Sequence, residues 1–276
     1  MLGYPIGHSL SPVLHRAAYA ELGLDWTYDG YEVDSRGLLR FMEGMDADWV
    51  GLSLTMPLKM EAANLMDFVE PLAKILDVVN TVLIGGEGTN LQRVGANTDV
   101  YGVVTAFAES GVTRARTALV LGGGATAVSA VAALGQMGCT RPRIAVRSRA
   151  RAGAVWRACT AMGLSPSIID IANPDDMRRA LRDAHAVVST IPAEAGAELA
   201  ESIGALKVRR QAALLDVVYS PLITPLGIAW ESWGGLRIGG ERMLLHQAAE
   251  QVRLMTGFEA PLAAMDAALT QVLPSS

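Results

Sequence analysis

A glycine turn in the middle of the chain constrains the fold more than any other feature of the sequence. The short apolar run 117–121 leads into Gly122-Gly-Gly-Ala-Thr-Ala127, and a stretch typical of a helix follows over 128–137. After a turn at Gly138 comes a second short apolar run, residues 143–146. Strand, glycine turn, helix and strand in this order form a βαβ unit. The sequence therefore predicts that the two apolar runs pair in parallel.

The alternation of strands and helices continues after this unit. Further helices are predicted at 150–162 and 175–184, and further strands at 167–171, 186–190 and 212–218. Asn173-Pro174 is a start signal for the second of these helices, because asparagine caps helices and proline favours their first position. Strands that alternate with helices favour an α/β fold with a parallel, doubly wound sheet whose faces are covered by helices.

The first hundred residues have a different order of predicted strands and helices, and they predict a smaller α/β domain. The predicted elements are a helix at 12–22 ended by Gly23, strands at 28–33, 49–55 and 81–84, helices at 57–66 and 70–76, and a hairpin turn at 85–88. The tail from Met243 predicts two helices, separated at Gly257 and Pro261.

A strand is expected before Gly3, but only Met1 and Leu2 precede it. Either that strand is truncated or the sequence begins downstream of its natural start.

Composition and charge exclude several classes of function. The net charge of −5 gives no electrostatic reason to bind nucleic acid or an anionic membrane. No apolar run reaches the roughly 18 residues of a membrane span, and no charged segment precedes an apolar one at the N-terminus. We therefore predict a cytoplasmic protein without a membrane partner. Cys139 and Cys159 lack CxxC spacing and are expected to be reduced, and the four histidines lack metal-ligand spacing, so no metal is predicted.

The glycine turn also predicts a dinucleotide site. Gly122 permits the tight turn, Gly124 lets the backbone approach a pyrophosphate, and Ala127 allows the helix to pack closely on the sheet. The helix N-terminus then offers amide donors and a positive dipole end to phosphates. A purely structural turn is the alternative, but the correct flanking strand and helix favour dinucleotide binding.

The strand after the turn distinguishes NADP from NAD. NAD enzymes usually end this strand with a carboxylate for the ribose 2′-hydroxyl. Here the segment is Val146-Arg-Ser-Arg-Ala-Arg151, which has three guanidinium groups and no carboxylate. Guanidinium groups suit a 2′-phosphate. A merely solvated basic helix start is less plausible, because cations oppose the dipole at a helix N-terminus. The predicted cofactor is NADP.

Three polar clusters lie in the first domain. They are Gly7-His-Ser-Leu-Ser-Pro12, Ser53-Leu-Thr-Met-Pro-Leu-Lys59, and Asn97-Thr-Asp99 with Gly102 shortly after. Each has a plain structural alternative. Ser11 and Asp99 could each cap a helix, and Lys59, expected on a helix that starts at Pro57, could be an ordinary solvated lysine.

Taken together, the clusters form an ordered series of motifs. Gly-x-Pro-Ile-x-His-Ser-x-Ser-Pro begins at Gly3, and the later motifs are Thr-x-Pro-x-Lys at 55–59, Val-Asn-Thr at 79–81, Asn-Thr-Asp-x-x-Gly at 97–102 and Met-Leu-x-x-Gln at 243–247. In this order they closely resemble the shikimate dehydrogenase family, from Gly3 to about Gly257. The resemblance implies a substrate-binding and catalytic domain at 1–101, a Rossmann-type NADP domain at 102–237, and C-terminal helices at 238–276 that return to the first domain.

The resemblance also implies a role for individual residues. Lys59 and Asp99 are expected to be the catalytic pair at the reacting oxygen. The implied substrate-binding residues are Ser9 and Ser11 for the carboxylate, Thr55, Asn80 and Gln247 for the ring hydroxyls, and Tyr219 in the pocket wall. The implied cofactor-binding residues are Gly122, Gly123, Gly124, Ala125, Arg147, Ser148, Arg151, Thr190, Val217, Gly240 and Met243. Four positions depart from the family pattern, namely Arg16, Ser53, Val146 and Arg242.

The activity implied by the resemblance is the reversible, NADPH-dependent reduction of 3-dehydroshikimate to shikimate in aromatic amino-acid biosynthesis. A ketone reduction needs a hydride donor and a proton donor, and a lysine ammonium beside a carboxylate suits the second role. The partner is then a small-molecule substrate, and the protein a monomer or homodimer. The alternatives are an NAD-dependent quinate/shikimate dehydrogenase and a non-catalytic ligand-sensing module of the same fold. A folate-type dehydrogenase would leave the Ser-x-Ser loop without a purpose.

Overall fold

The computed structural model describes residues 1–87 and 90–274. Contacts between Cα atoms divide the chain into two compact units. One unit consists of Met1–Asp99 together with the chain from Leu244 onward, and the other is Val100–Met243.

The strands are β1 (Leu2–Gly3), β2 (Tyr31–Glu32), β3 (Gly51–Ser53), β4 (Phe68–Val69), β5 (Thr81–Glu87), β6 (Asn90–Ala96), β7 (Ala118–Leu121), β8 (Arg143–Val146), β9 (Ser167–Asp170), β10 (Ala186–Ser189), β11 (Ala213–Asp216) and β12 (Leu236–Ile238). The α-helices are α1 (Ser11–Glu21), α2 (Leu38–Glu43), α3 (Pro71–Leu76), α4 (Asp99–Glu109), α5 (Ala125–Gln136), α6 (Gly153–Ala161), α7 (Pro174–Asp183), α8 (Ala193–Ile203), α9 (Pro225–Ser232), α10 (Gly240–Thr256) and α11 (Leu262–Val272). Short 3₁₀ turns lie at Ala62–Leu65 and Arg149–Ala152.

The first unit combines a mixed sheet with a helical layer. Its sheet has the order β3-β5-β6-β4, in which β5 is antiparallel to both neighbours and β4 is parallel to β6. The C-terminal helices belong to this unit, because Leu245 and Met265 share one buried cluster with Leu14 and Ala18 of α1. The C-terminal helices therefore pack on the first unit, from Leu244 onward.

The second unit is built on a fully parallel sheet with the order β12-β11-β10-β7-β8-β9. Strands β7, β10 and β11 are buried along their whole length, which explains their continuous apolar sequences. The chain runs outward from β7 in one direction to β9 and then, from β10, in the other direction to β12. This order is that of the Rossmann-type, doubly wound sheet, and the predicted fold class is confirmed.

Two local predictions in the first unit are wrong. Residues 57–66 form a turn followed by the 3₁₀ turn at 62–65, not a helix that carries Lys59. The Lys59 carbonyl accepts a hydrogen bond from the Val79 amide at 2.8 Å, and that bond ties it to the chain beside β5 rather than to a following helical turn. The predicted turn at 85–88 is also misplaced, because β5 continues to Glu87 and pairs Gly86 with Leu91. Gly88 lies outside the described residues.

Two predicted strands are shorter in the structure than expected. The run 28–33 contributes only β2, and 49–55 contributes only β3. Among the described residues, no helix is both long and apolar enough to cross a membrane.

Candidate active site

Lys59 and Asp99 form an ion pair in the first unit. Lys59 Nζ donates to Asp99 Oδ2 at 2.6 Å, and the two side chains are 12% and 3% exposed. The turn after β3 carries the lysine, and Asp99 is the first residue of α4. A charge pair this buried depends on both partners, because removal of one leaves the other unpaired in a poorly solvated place.

Asn80 connects this pair to the rest of the site. Its Nδ2 donates to Asp99 Oδ1 at 2.8 Å and lies 2.9 Å from Thr98 Oγ1 and 3.4 Å from Gln247 Oε1. Its Oδ1 accepts from the Thr98 backbone amide at 2.8 Å. The structure therefore brings together four predicted site residues that are far apart in the sequence: Lys59, Asn80, Asp99 and Gln247.

The other predicted substrate residues of this unit lie on separate loops. Ser11 is the first residue of α1, and its backbone amide donates to Ser9 Oγ at 3.3 Å. Leu10 occupies the cap position, so the alternative in which Ser11 caps the helix is wrong. Thr55 follows β3, and its backbone amide donates a hydrogen bond to the Leu2 carbonyl at 2.9 Å. Within the described residues, Ser9, Ser11 and Thr55 make no direct hydrogen bond to the Lys59–Asp99 pair.

In the second unit the glycine turn lies at the carboxyl end of β7. Gly122 has φ +115°, a conformation that side-chain-bearing residues rarely adopt, and a Cβ there would lie 2.3 Å from Thr190 Oγ1. Gly124 is the cap residue of α5, which begins at Ala125, and a Cβ on it would meet no described atom within 4 Å. The backbone is thus open at the position where a phosphate would approach a helix N-terminus.

A cavity of about 540 Å³ adjoins this turn. Gly122, Gly123, Arg147 and Arg151 are among the residues that line it. The Arg147 side chain is 64% exposed and has Glu198 as an ion-pair partner only at 4.0 Å, a separation at which an exposed pair contributes little. Ser148 lies between the two arginines in the sequence and occupies the N-cap position of the 3₁₀ turn, without a side-chain hydrogen bond to that turn.

A close backbone approach and a hydrogen bond position the remaining predicted residues of the second unit. A Cβ on Gly240 would lie 2.4 Å from the Val217 carbonyl oxygen, so only glycine fits where α10 begins. Met243 is buried in the first turns of the same helix. Tyr219 is in the loop after β11, and that loop is fixed by a hydrogen bond of 2.6 Å from Thr224 Oγ1 to Asp216 Oδ2. Burial raises the pKa of the Asp216 carboxyl, and this hydrogen bond opposes the rise.

Sequence reasoning gave no role to several polar residues around Asn80, although Ser53, Thr81 and Thr98 belong to its motifs. Thr98 and Thr81 both bond to the Asn80 amide, and Gln251 and Ser53 lie one step further away. The repeated Asn-Thr pair at 80–81 and 97–98 is the one local signal that could have identified the threonines, since the two pairs lie at paired ends of β5 and β6. Among the described residues, no group of histidine, cysteine and acidic side chains could hold a metal ion.

Comparison with known proteins places these features in one family. The model of the shikimate dehydrogenase substrate binding domain matches residues 1–82, and that of the shikimate 5′-dehydrogenase C-terminal domain matches residues 240–270. Shikimate dehydrogenase (NADP(+)) of Halobacterium salinarum is 37% identical over 98% of this chain and 97% of its own length. The chain also matches the pentafunctional AROM polypeptide of Eremothecium gossypii with 31% identity, but it spans only 17% of that polypeptide.

Solved structures show the same similarity along nearly the whole chain. Shikimate dehydrogenase of Mycobacterium tuberculosis superimposes with a TM-score of 0.87 and 38% identity, covering 98% of both chains. Shikimate 5-dehydrogenase of Thermus thermophilus, solved in complex with NADP(H) and shikimate, gives a TM-score of 0.78 and 27% identity over 99% of this chain and 98% of its own.

Proposed function

The chain belongs to the shikimate dehydrogenase family, and from that premise we propose that it catalyses the reversible, NADPH-dependent reduction of 3-dehydroshikimate to shikimate in aromatic amino-acid biosynthesis. The observation that carries the proposal is the buried Lys59–Asp99 pair at 2.6 Å, held by Asn80. It supplies the proton donor that a carbonyl reduction needs. The NADP(+) shikimate dehydrogenase named above supports the same reaction, as does the complex with NADP(H) and shikimate.

In the proposed substrate site, Ser9 and Ser11 bind the carboxylate and Thr55, Asn80 and Gln247 bind ring hydroxyls. All five belong to the first unit, which is the proposed substrate-binding and catalytic unit. Tyr219 is a further proposed substrate-binding residue. Serine hydroxyls and asparagine or glutamine amides suit this substrate class, because they donate to a carboxylate and both donate to and accept from hydroxyls.

The proposed acid–base chemistry takes place at Lys59. Its ammonium group donates a proton to the substrate oxygen in the reductive direction, and the neutral amine accepts that proton in the oxidative direction. Positive charge beside that oxygen also stabilises the alkoxide character of the transition state. Asp99 orients the ammonium group and balances its charge, and Asn80 fixes the carboxylate through the bond at 2.8 Å. NADPH, when bound, supplies the hydride.

The residues of the second unit fit NADP. Gly124 leaves the backbone open beside the amino end of α5, and Gly122 and Gly123 permit the tight turn before it, an arrangement that suits a pyrophosphate. Arg147 and Arg151 line the adjoining cavity and are proposed to bind the 2′-phosphate together with Ser148. Ala125, Thr190, Val217, Gly240 and Met243 are the further proposed cofactor contacts. The alternative, an NAD-dependent quinate/shikimate enzyme, would be expected to have a carboxylate where Arg147 stands.

The proposed setting of this reaction is the cytoplasm, with small-molecule substrates as partners. A ligand-sensing role without catalysis is less consistent with the chain, because such a protein has no need to retain the Lys59–Asp99 pair.

A matrix of activities tests the proposed function. Purified protein is assayed with NADP and NAD, each against shikimate and quinate, by formation of the reduced nicotinamide. The expected result is turnover of shikimate with NADP that exceeds the other three combinations. Turnover confined to NAD would contradict the cofactor assignment, and turnover of quinate alone would contradict the substrate assignment.

A further inference from the structure

A line of buried hydrogen bonds runs toward Asp99 through four side chains to which the proposed mechanism gives no role, and then through Asn80. We call it the donor chain, and its members are Tyr28, Ser53, Gln251, Thr81, Asn80 and Asp99. Its successive donor–acceptor distances are 2.6, 2.8, 2.9, 2.8 and 2.8 Å. Each member is at most 7% exposed, and all belong to the first unit.

Backbone groups fix the direction of the two amides in the donor chain. The Thr98 backbone amide can only donate, so the Asn80 side-chain atom 2.8 Å from it is the oxygen, and Nδ2 faces Asp99. The Asn80 backbone carbonyl can only accept, so the Gln251 atom 3.3 Å from it is Nε2. Gln251 Oε1 therefore faces Ser53.

The directions of the hydroxyls follow from those of the amides. The Thr81 hydroxyl has one proton, and because Gln251 Nε2 donates to its oxygen, that proton is free to bond Asn80 Oδ1. The Ser53 hydroxyl gives its proton to Gln251 Oε1 and accepts from Tyr28. Every donor thus points toward the Asp99 carboxylate, an arrangement in which each bond polarises and strengthens the next.

The far end of the donor chain is a phenol that keeps its proton. Burial holds the pKa of Tyr28 above its ordinary value, while hydrogen bonds to the side chains of Ser53 and Ser11 oppose the rise. The phenol ring stacks on His15 with 4.0 Å between ring centroids. The first donor of the chain is therefore a neutral hydroxyl in a packed setting.

Gln251 is the link that joins the two halves of the donor chain. It lies one helical turn after Gln247 on α10, so both glutamines face the same side of the helix. We propose that Gln251, with Ser53 and Thr81, is a positioning residue for the reaction: it fixes the direction of the Thr81 hydroxyl, and through it the Asn80 amide that orients Asp99 toward Lys59. This inference rests on the proposed function for the catalytic role of Lys59 and Asp99.

Gln251→Met tests the proposal, because methionine has a similar length and cannot donate. The loss of one buried hydrogen-bond link is expected to lower kcat about threefold to tenfold, with the KM for shikimate and the Kd for NADP unchanged within about twofold. Tyr28→Phe should reduce kcat less, since the Ser53 hydroxyl can still donate to residue 251. Tyr19→Phe is the matched control, because this buried tyrosine lies beside Tyr28 but outside the donor chain, and it should leave kcat unchanged.

Two results of these assays would overturn the proposal. One is a Gln251→Met enzyme with a lower Tm but the kcat of the parent protein, which would reduce Gln251 to a packing role. The other is a KM for shikimate that rises while kcat holds, which would make Gln251 a part of substrate binding.

A second measurement does not depend on turnover. The ¹⁵N order parameter of the Asn80 side-chain amide, measured by NMR on the cofactor-free protein, should fall in Gln251→Met and stay unchanged in Tyr19→Phe. An unchanged value in Gln251→Met would overturn the positioning role whatever the enzyme does. If the value falls but the parent protein does not oxidise shikimate, the proposed function fails and the orienting role of Gln251 stands.

Discussion

At the scale of single residues, the Lys59–Asp99 pair depends on a small number of backbone contacts. The Lys59 carbonyl accepts a hydrogen bond from the Val79 amide. The side chain of Asn80, the next residue, donates a hydrogen bond to the Asp99 carboxylate. The same short segment therefore positions both members of the pair. Because both side chains are buried, the geometry is held by hydrogen bonds that water cannot easily replace.

His15 gives the fold a predictable loss of stability in acid. Burial lowers the pKa of this imidazole from 6.5 to about 4, and its hydrogen bond to the Ser11 carbonyl only partly opposes the effect. The unfolded chain binds the proton more readily than the folded one, so stability is lost as pH falls from about 6.5 toward 4. At 1.36 kcal/mol per pKa unit, the loss is roughly 3 kcal/mol.

The measurement is urea unfolding of the parent protein and His15→Phe at pH 7 and pH 4.5. Phenylalanine keeps a ring that can stack on Tyr28 but cannot take up a proton, so the free energy of unfolding should depend less on pH in the variant. His8→Asn, a change in an exposed loop, serves as the control and should behave like the parent. An equal pH dependence of the parent and His15→Phe would contradict this account of His15.

At the scale of elements, α7 shows how a cap recognised in the sequence acts in the structure. Asn173 Oδ1 accepts from the backbone amides of Asp175 and Asp176 at 3.1 and 3.2 Å. Asn173→Ala removes this cap and is expected to lower the free energy of unfolding by about 1 kcal/mol, whereas Asn173→Asp should retain most of it. Thermal unfolding of the three proteins measures the difference. Equal Tm values for the alanine and aspartate variants would count against the capping role.

The segment after β8 is the element that we propose selects the cofactor. Arg147→Asp removes one guanidinium group and supplies a carboxylate for a ribose hydroxyl. The KM for NADP should rise about tenfold to a hundredfold while the KM for NAD falls, because a charge-assisted bond to the phosphate is lost.

Arg157→Asp is the control for charge alone, since Arg157 is exposed on α6 and is not among the residues that line the cavity. It should leave both constants close to those of the parent. If Arg147→Asp retains the preference for NADP, Arg147 does not bind the 2′-phosphate.

The second unit was the more predictable of the two from sequence. Gly122 at the end of an apolar run, and Asn173-Pro174 before a helix, are local signals whose physical reasons operate within a few residues. The first unit depends on contacts between distant segments. The helix predicted at 57–66 does not form, because the backbone amide of Val79, a residue outside that window, donates a hydrogen bond to the Lys59 carbonyl.

At the scale of the whole molecule, the sequence predicted members of the candidate site but not the hydrogen bonds between them. Motif order brought Lys59, Asn80, Asp99 and Gln247 to attention, and the structure adds the bonds between them. The donor chain had no such signal. Ser53 departs from the family pattern, but its partner Gln251 lies 198 residues away and no motif connects the two. The fold determines long-range hydrogen-bond partners of this kind, and no local sequence pattern indicates them.

A double-variant cycle on the Lys59–Asp99 pair tests the central claim most directly. Lys59→Met, Asp99→Asn and the combined variant are compared with the parent in the oxidation of shikimate by NADP, with Lys74→Met on the exposed face of α3 as control. Loss of the proton-transfer group should lower kcat by about 10²- to 10⁴-fold with a much smaller change in KM. Because the two groups act as a unit, the combined variant should be no slower than the slower single variant. A Lys59→Met enzyme that keeps the parent kcat, or losses that multiply in the combined variant, would contradict the account.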